Sequence, residues 1–351
     1  MTWKNEWEDK NSIVTICGDL SKKYFGLKKE EWKQLCEDVD IIIHSGAIVH
    51  WLYPYSQLKP TNVLSTKQCL KMASTHHLKP LYFVSSTSIF SCQKYISSME
   101  NSDEEVIIQE SDDLEKYSTG IINGYGQSKW VSEKLISKAI ERGVPACIIR
   151  PGFILGSEKN GMLNTDDFII RMMIGCAQLK MAPDLSNVIN TCPVDYVAGA
   201  MVQIASDEQW LKHHVYHMWN NPTISFNDIF DEMERYGYEM KRVSYDEWCS
   251  TLKYMDPSNL EKNALFPLLY FVLNGLMIKM QSPPLNDDNT REAIADSDVP
   301  DSNIKGLIGK YLAYLNKINL LAPPSEPEYS IPLPNIGEIA ITATIGRNNQ
   351  L

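Results

Sequence analysis

The 351-residue chain is 44% hydrophobic and 22% charged, the composition of a folded globular protein, which excludes fibrous and wholly disordered classes. Lys plus Arg number 33 against 44 Asp plus Glu, a net charge of −11 that argues against a general binder of nucleic-acid backbone or anionic membrane. The eight cysteines are scattered with no Cys-x-x-Cys pair, and the first residues lack the apolar core of a signal peptide, so a reducing, cytoplasmic setting is expected.

Short β-branched runs alternate with longer helical patterns through the first half. Residues 13–17 read as a strand followed by a helix from about Lys28, residues 40–44 as a strand followed by a helix from about Tyr55, and residues 81–86 as a third strand. This is the rhythm of a parallel α/β sheet. An acidic stretch from Glu100 to Glu115 comes next, its carboxylates at 103–105 and 112–113 reading as a solvated loop at a substrate entrance. A helical pattern at 126–142 and a strand at 146–150 follow. A further helix is expected to open near residues 164–167, where Asn164 or Thr165 can cap it and Asp166 and Asp167 suit its positive end.

Beyond about residue 200 the rhythm changes to helices of mixed length, with one strand-like run at 214–219, which predicts a smaller, mainly helical lobe over 201–322. The apolar stretch 264–280 is interrupted by Pro267, Asn274, Gly275 and Lys279; it is too broken for a membrane span and reads as a buried helix. Residues 323–351 form a proline-spaced extended tail. His213, His214 and His217 invite a metal reading, but on a strand His214 and His217 face opposite ways, so no metal site is expected.

The most informative cluster is Tyr125-Gly-Gln-Ser-Lys129 at a helix start, after a strand that ends Val84-Ser85-Ser86-Thr87-Ser88. Tyrosine and lysine at i and i+4 share one helix face. An ammonium one turn from a phenol is expected to lower the phenol's pKa toward a value useful for proton transfer to a carbonyl oxygen, and a hydroxyl from the strand end can hydrogen-bond the same oxygen. His44 and His50, which flank the loop after the second strand, read as orienting or packing residues.

Taken together, Gly18-Asp19-Leu20, His44-Ser45-Gly46-Ala47, Asn62-Val63, the 84–88 string, Tyr125-x-x-x-Lys129 and Arg150-Pro151-Gly152 resemble the extended short-chain dehydrogenase/reductases. Longer strings are similar to the C-terminal thioester reductase domain of fungal α-aminoadipate reductase: Val49-His50-Trp51-x-Tyr53-Pro54-Tyr55, Glu110-Ser111-Asp112-Asp113-Leu114, Gly124-Tyr125-Gly126-Gln127-Ser128-Lys129-Trp130, Asn164-Thr165-Asp166-Asp167-Phe168 and Pro193-Val194-Asp195. The resemblance runs nearly end to end, through Asn263-Ala-Leu-x-Pro-Leu-Leu269 to Leu333-Pro334.

This resemblance implies an α/β fold, with a Rossmann-like doubly wound parallel sheet over residues 1–200 that holds NADPH and a helical lobe for substrate. It implies reduction of an acyl thioester, presented on the phosphopantetheine arm of an acyl carrier domain, to an aldehyde; in that family the product is α-aminoadipate semialdehyde, on the route to lysine. Tyr125 would donate the proton, Lys129 would lower its pKa and hold the nicotinamide ribose, and Thr87 would hydrogen-bond the reacting oxygen, with Ser85, Ser86 and Ser88 as local alternatives. Asp19 and Leu20 would lie beside the adenine, Gly46 and Ala47 near ribose and phosphates, and Pro151, Gly152 and Phe153 at the nicotinamide amide, with Ser45, Asn62, Ser85 and Ser86 as further cofactor contacts.

One departure stands against these matches. The family's domain begins with a strand, a Thr-Gly-x-x-Gly-x-x-Gly turn and a helix, whose backbone N–H groups hold the cofactor pyrophosphate. No such turn occurs in this sequence, and residues 13–17 correspond to the family's third strand, so the first two strands and one helix are expected to be missing. The adenylation and carrier domains that precede the reductase in that family are expected to be missing as well, with an upstream polypeptide that carries them as an expected partner. Two other readings stay open: an inactive remnant or interaction module, and an enzyme of the nucleotide-sugar epimerase kind, which also keeps the Tyr and Lys.

Overall fold

The computed structural model describes residues 13–50, 52–92, 107–219, 222–275, 282–299, 303–325 and 330–337. Four strands, β1 (Ile42–His44), β2 (Leu81–Val84), β3 (Ala146–Pro151) and β4 (Val215–Met218), form one sheet in that order, every pair parallel. Alternation along the strands decides which side chains meet which helices. Leu81, Phe83, Ala146 and Ile148 pack with Trp32 and Cys36 of α1 (Lys29–Asp38), Cys69 and Met72 of α2 (Leu64–Ala73) and Ile136 of α3 (Gly124–Ile140). Tyr82, Cys147, Ile149, Tyr216 and Met218 form a separate core with Tyr196, Val197, Ala200 and Ile204 of α4 (Val194–Ser206). A parallel sheet with helices on both faces is the doubly wound α/β arrangement.

The strand expected at 13–17 does not form. A strand needs a neighbour for its N–H and C=O groups, and among the described residues no strand pairs with this segment, which has no regular secondary structure and leaves Val14 78% and Ile16 53% exposed. Among the described residues β1 therefore pairs with β2 alone and forms the sheet's edge, with Ile41 and Ile43 about half in solvent. Six of the cysteines are buried, whereas Cys17, on the unpaired segment, is exposed.

A further core gathers the helices Phe168–Leu179, Phe226–Arg235, Tyr245–Lys253 and Ile304–Lys317 around Phe168, Phe226, Phe230, Trp248 and Tyr311. It already draws on Leu155 and Ile189, while β4 and Ala293 belong with the sheet. One boundary near residue 200 therefore does not separate the lobes: the chain leaves the sheet directly after β3, and the short strands Phe153–Leu155 and Thr191–Pro193 pair to make the seam.

Three local expectations shift. Asp167, rather than Asn164 or Thr165, caps the helix Phe168–Leu179, accepting the N–H groups of Ile169 (2.8 Å) and Ile170 (3.4 Å), because Asn164 is engaged in the preceding turn with the N–H of Asp166. In the apolar stretch from residue 264, Pro267 and the left-handed Gly275 (φ 67°) limit helix to Phe266–Leu268 and Leu269–Leu273, and Tyr270 is 63% exposed rather than buried; residues 276–281 lie outside the described residues. The tail has no regular structure where described, its Ile331 N–H donating to Arg235 O at 3.1 Å and Leu333 packing on the helical core. Residues 338–351 lie outside the described residues, as do the carboxylates at 103–105.

Candidate active site

Parallel strands deliver the loops at their carboxyl ends to one rim, where such sheets bind ligands. Here those loops are residues 45–50 after β1, 85–88 after β2 and 152–153 after β3, so topology alone gathers three of the expected contact groups. Helix α3 opens between them, its cap Asn123 accepting the Gly126 N–H at 2.6 Å. Its two glycines are required by close approach: a Cβ on Gly126 would lie 2.6 Å from Ser88 O, and one on Gly124 would lie 2.6 Å from Tyr55 N.

Lys129, one turn into α3, is 3% exposed and donates from Nζ to Val84 O at 2.6 Å, with the Tyr125 ring centre 5.9 Å away. Burial pushes its pKa down to about 8, against the pull of Glu133 one turn further on. Tyr125 moves opposite to the sequence expectation. Burial drives its phenol up to about 12, with the Ser86 hydroxyl pulling the other way. The ammonium is engaged by the strand carbonyl, so desolvation dominates and the phenol stays protonated near neutral pH.

The hydroxyl run behind Tyr125 divides its tasks. Ser86 caps the short helix Thr87–Phe90, its Oγ accepting the Ser88 N–H at 3.1 Å and donating to Ser88 Oγ at 3.0 Å. Thr87 is half-buried and its hydroxyl has no partner among the described residues; Ser85 Oγ is buried, also without one.

Asp19 is exposed, its carboxylate accepting both the N–H and the hydroxyl of Ser21, and Leu20 lies over Gly46, where a Cβ would come 2.6 Å from Leu20 Cδ1. Ser45, Gly46 and Ala47 follow as an open loop. Asn62 does not reach that opening. It is 3% exposed and clamps the loop from behind, Oδ1 accepting Ile48 N–H (2.8 Å) while Nδ2 donates to Ile48 O (3.0 Å) and to Ser128 Oγ on α3 (2.9 Å). Past Pro151, a Cβ on Gly152 would lie 2.8 Å from the Asn190 amide, and Phe153 N–H donates to Asn190 O at 2.9 Å. His44 lies 3.1 Å from Ser65 Oγ and is held neutral, burial and then the charge of Lys129 taking its pKa to about 4.

Sequence reasoning missed a buried polar group beneath this rim. Arg150 joins Glu133 to His217, whose Nδ1 lies 2.7 Å from Asn286 O and therefore carries the proton, leaving Nε2 to accept from Arg150 Nη1 at 3.0 Å. Glu110, within the acidic stretch, is 5% exposed and accepts the N–H groups of His217 and Asn289, both at 2.8 Å. The available signals were an arginine inside an apolar strand and a glutamate one turn beyond Lys129. His214 precedes β4 with φ 60°, so its side chain does not follow the strand alternation. Among the described residues no cluster of His, Cys, Asp and Glu suits a metal, and no helix is long and apolar enough to cross a membrane.

A doubly wound sheet with a Tyr-x-x-x-Lys helix at its ligand rim defines an NAD(P)-binding oxidoreductase of the extended short-chain type. The chain belongs to the NAD-binding family described as male sterility protein, whose model matches residues 1–201. It is 39% identical over 348 residues to the L-2-aminoadipate reductase large subunit of Eremothecium gossypii and 39% over 346 residues to L-2-aminoadipate reductase of Saccharomyces cerevisiae, each covering 95% of this chain. The chain spans 24% and 25% of those relatives, about a quarter of their length. Among solved structures, the terminal R domain of the myxalamid PKS-NRPS pathway superposes with a TM-score of 0.81 at 29% identity, covering 92% of this chain and 79% of that one.

Proposed function

We propose that this chain is a reductase domain that converts a carrier-bound acyl thioester into an aldehyde with NADPH, the acyl group being α-aminoadipyl and the carrier an acyl carrier domain bearing phosphopantetheine. The observation that carries this reading is the position of Tyr125, a protonated phenol at the ligand rim with Lys129 and the Ser86 hydroxyl against it and Thr87 next along the same run. The identity to aminoadipate reductases favours it over an epimerase reading, for which a likeness at 12% identity supports the fold alone.

The residues at the rim suit the nicotinamide half of the cofactor: Ser45 and Gly46 are exposed after β1, and Lys129 is anchored at the end of β2 by Val84 O. A glycine-rich pyrophosphate turn is not in the sequence. NADPH, when bound, supplies the hydride that reaches the thioester carbonyl carbon. As charge grows on the carbonyl oxygen, Thr87 donates a hydrogen bond to it and Tyr125 gives up its proton. Lys129, released from Val84 O, would then stand one turn from the phenolate and stabilise it. The thiohemiacetal so formed collapses to aldehyde and free pantetheine thiol. The test is an aldehyde assay with aminoadipyl thioester on a phosphopantetheinylated carrier, using the chain extended by an upstream family segment. Aldehyde formation with matching NADPH loss supports the reading, and an extended protein that binds NADPH yet leaves the thioester intact overturns it.

A second reading, that residues 1–351 by themselves do not turn over, is favoured by the lack of a Thr-Gly-x-x-Gly-x-x-Gly turn among these residues.

A further inference from the structure

Residues 52–55 lead from the loop after β1 into the short helix Tyr55–Leu58 and pack against the start of α3, and the imidazole of His50 holds the first two of them. His50 Nδ1 accepts the backbone N–H groups of Leu52 and Tyr53, both at 3.2 Å, and its ring stacks on Tyr53 with centroids 3.6 Å apart and planes 15° from parallel. A side-chain acceptor taking the N–H groups two and three residues ahead is the geometry asparagine and aspartate use to close a turn, here made by histidine. The turn presses directly on α3: a Cβ on Gly124 would strike Tyr53 O and lie 2.7 Å from Pro54 C. Upstream, Asn62 fixes Ile48 by its N–H and its carbonyl, so His50 holds the next anchor along the same strip of chain.

We propose that His50 is a positioning residue for Tyr125: as a neutral ring it holds the N–H groups of Leu52 and Tyr53 and so braces Tyr53 against Gly124, and its protonation in mild acid releases both and loosens the first turn of α3. A proton on Nδ1 turns the acceptor into a donor and leaves the N–H groups of Leu52 and Tyr53 without a side-chain partner. Burial holds the ring's pKa below the ordinary histidine value, with no neighbouring charge among the causes, and Tyr53 is the described titratable side chain stacked on it. The proposal deepens the reading of Tyr125 given above and rests on it for that residue's role. The experiment reads the turn itself, so its failure leaves the thioester reading intact.

The test is amide hydrogen exchange on the purified chain and on His50→Asn and His50→Phe, at about pH 7.5 and about pH 5, each corrected for the intrinsic pH dependence of exchange. Asparagine keeps the acceptor without a titratable ring; phenylalanine keeps the stack without the acceptor. In the wild type, exchange across 50–55 and 124–127 is expected to rise about tenfold in acid, on the scale of one backbone hydrogen bond. His50→Asn should stay protected at both pH values, and His50→Phe should exchange fast at both, while the amides of β2 and β3 report that the fold persists. An acid response that survives in His50→Asn, loss of protection in that variant at both pH values, or full protection in His50→Phe each overturns the proposal. Should the phenylalanine variant fail to fold, the comparison of wild type with His50→Asn decides it.

Discussion

Arg150 grips Glu133 through two nitrogens, Nη2 at 2.8 Å and Nε at 3.1 Å, joining the end of the strand that feeds Gly152 to the middle of the helix that carries Tyr125 and Lys129. Both residues are buried, Arg150 1% and Glu133 0% exposed. The pair therefore fixes two sides of the candidate site relative to each other.

Breaking one partner should cost far more than replacing both. Glu133→Gln leaves a buried guanidinium without its counter-charge and is expected to destabilise the fold by about 3–5 kcal/mol, whereas Glu133→Leu combined with Arg150→Met should recover most of that loss. Urea unfolding of the three proteins checks this; a double variant as weak as the single one would show that the charges themselves are required.

Glu110 predicts an unusual pH dependence. Its carboxyl, raised by burial to about 7 in the fold, keeps its proton where an unfolded glutamate, near 4.5, loses it. The folded state then binds more protons, so this group's contribution to stability is full below about 4.5 and is lost as pH rises to about 7. His217, held down near 3, has the opposite slope, contributing above its ordinary 6.5 and losing that contribution as pH falls, so the two oppose each other between about 4.5 and 6.5. Relative to wild type, Glu110→Gln should lose less stability, or gain some, as pH climbs through this window. Parallel stability-against-pH curves for the two proteins would refute the assignment.

In a version carrying a complete cofactor segment, Tyr125→Phe should lower the chemical step by about 10²–10⁴-fold with little change in NADPH affinity, because the hydroxyl matters only as charge develops on oxygen. Lys129→Ala should weaken both, since in the proposed mechanism one ammonium would serve ribose and phenolate. Single-turnover rates beside NADPH titrations separate the two effects, and a Tyr125→Phe enzyme retaining half its rate would remove Tyr125 from the mechanism.

Residues 1–351 as they stand should bind NADPH weakly and reduce no thioester. The nicotinamide contacts proposed for the rim would not replace the backbone N–H groups and helix dipole that neutralise a pyrophosphate. Fluorescence titration of the chain before and after adding an upstream segment tests this, and tight binding by the unextended chain would contradict it.

The sheet was legible because strand alternation and the helical period are local: residues 81–86 and 146–150 announced themselves, and Tyr125 with Lys129 followed from spacing. What depended on a distant partner was not. Residues 13–17 have strand composition, yet composition cannot supply the neighbour a strand needs. Asn62 carried the right residue type for a cofactor contact, but only the fold shows both ends of its amide taken by Ile48. The direction of the Tyr125 shift was misjudged for a similar reason, since helical spacing gives the distance to Lys129 but not the Val84 carbonyl that engages it.

The interleaving of the two lobes has a consequence for dissection of the gene. Because Leu155 and Ile189 pack with Phe226 and Tyr311 while β4 and Ala293 return to the sheet, no single cut in the chain separates one hydrophobic centre from the other. A protease that nicks an exposed loop would leave halves that stay associated until denatured, and an expression clone stopped at residue 200 would encode part of each centre and complete neither.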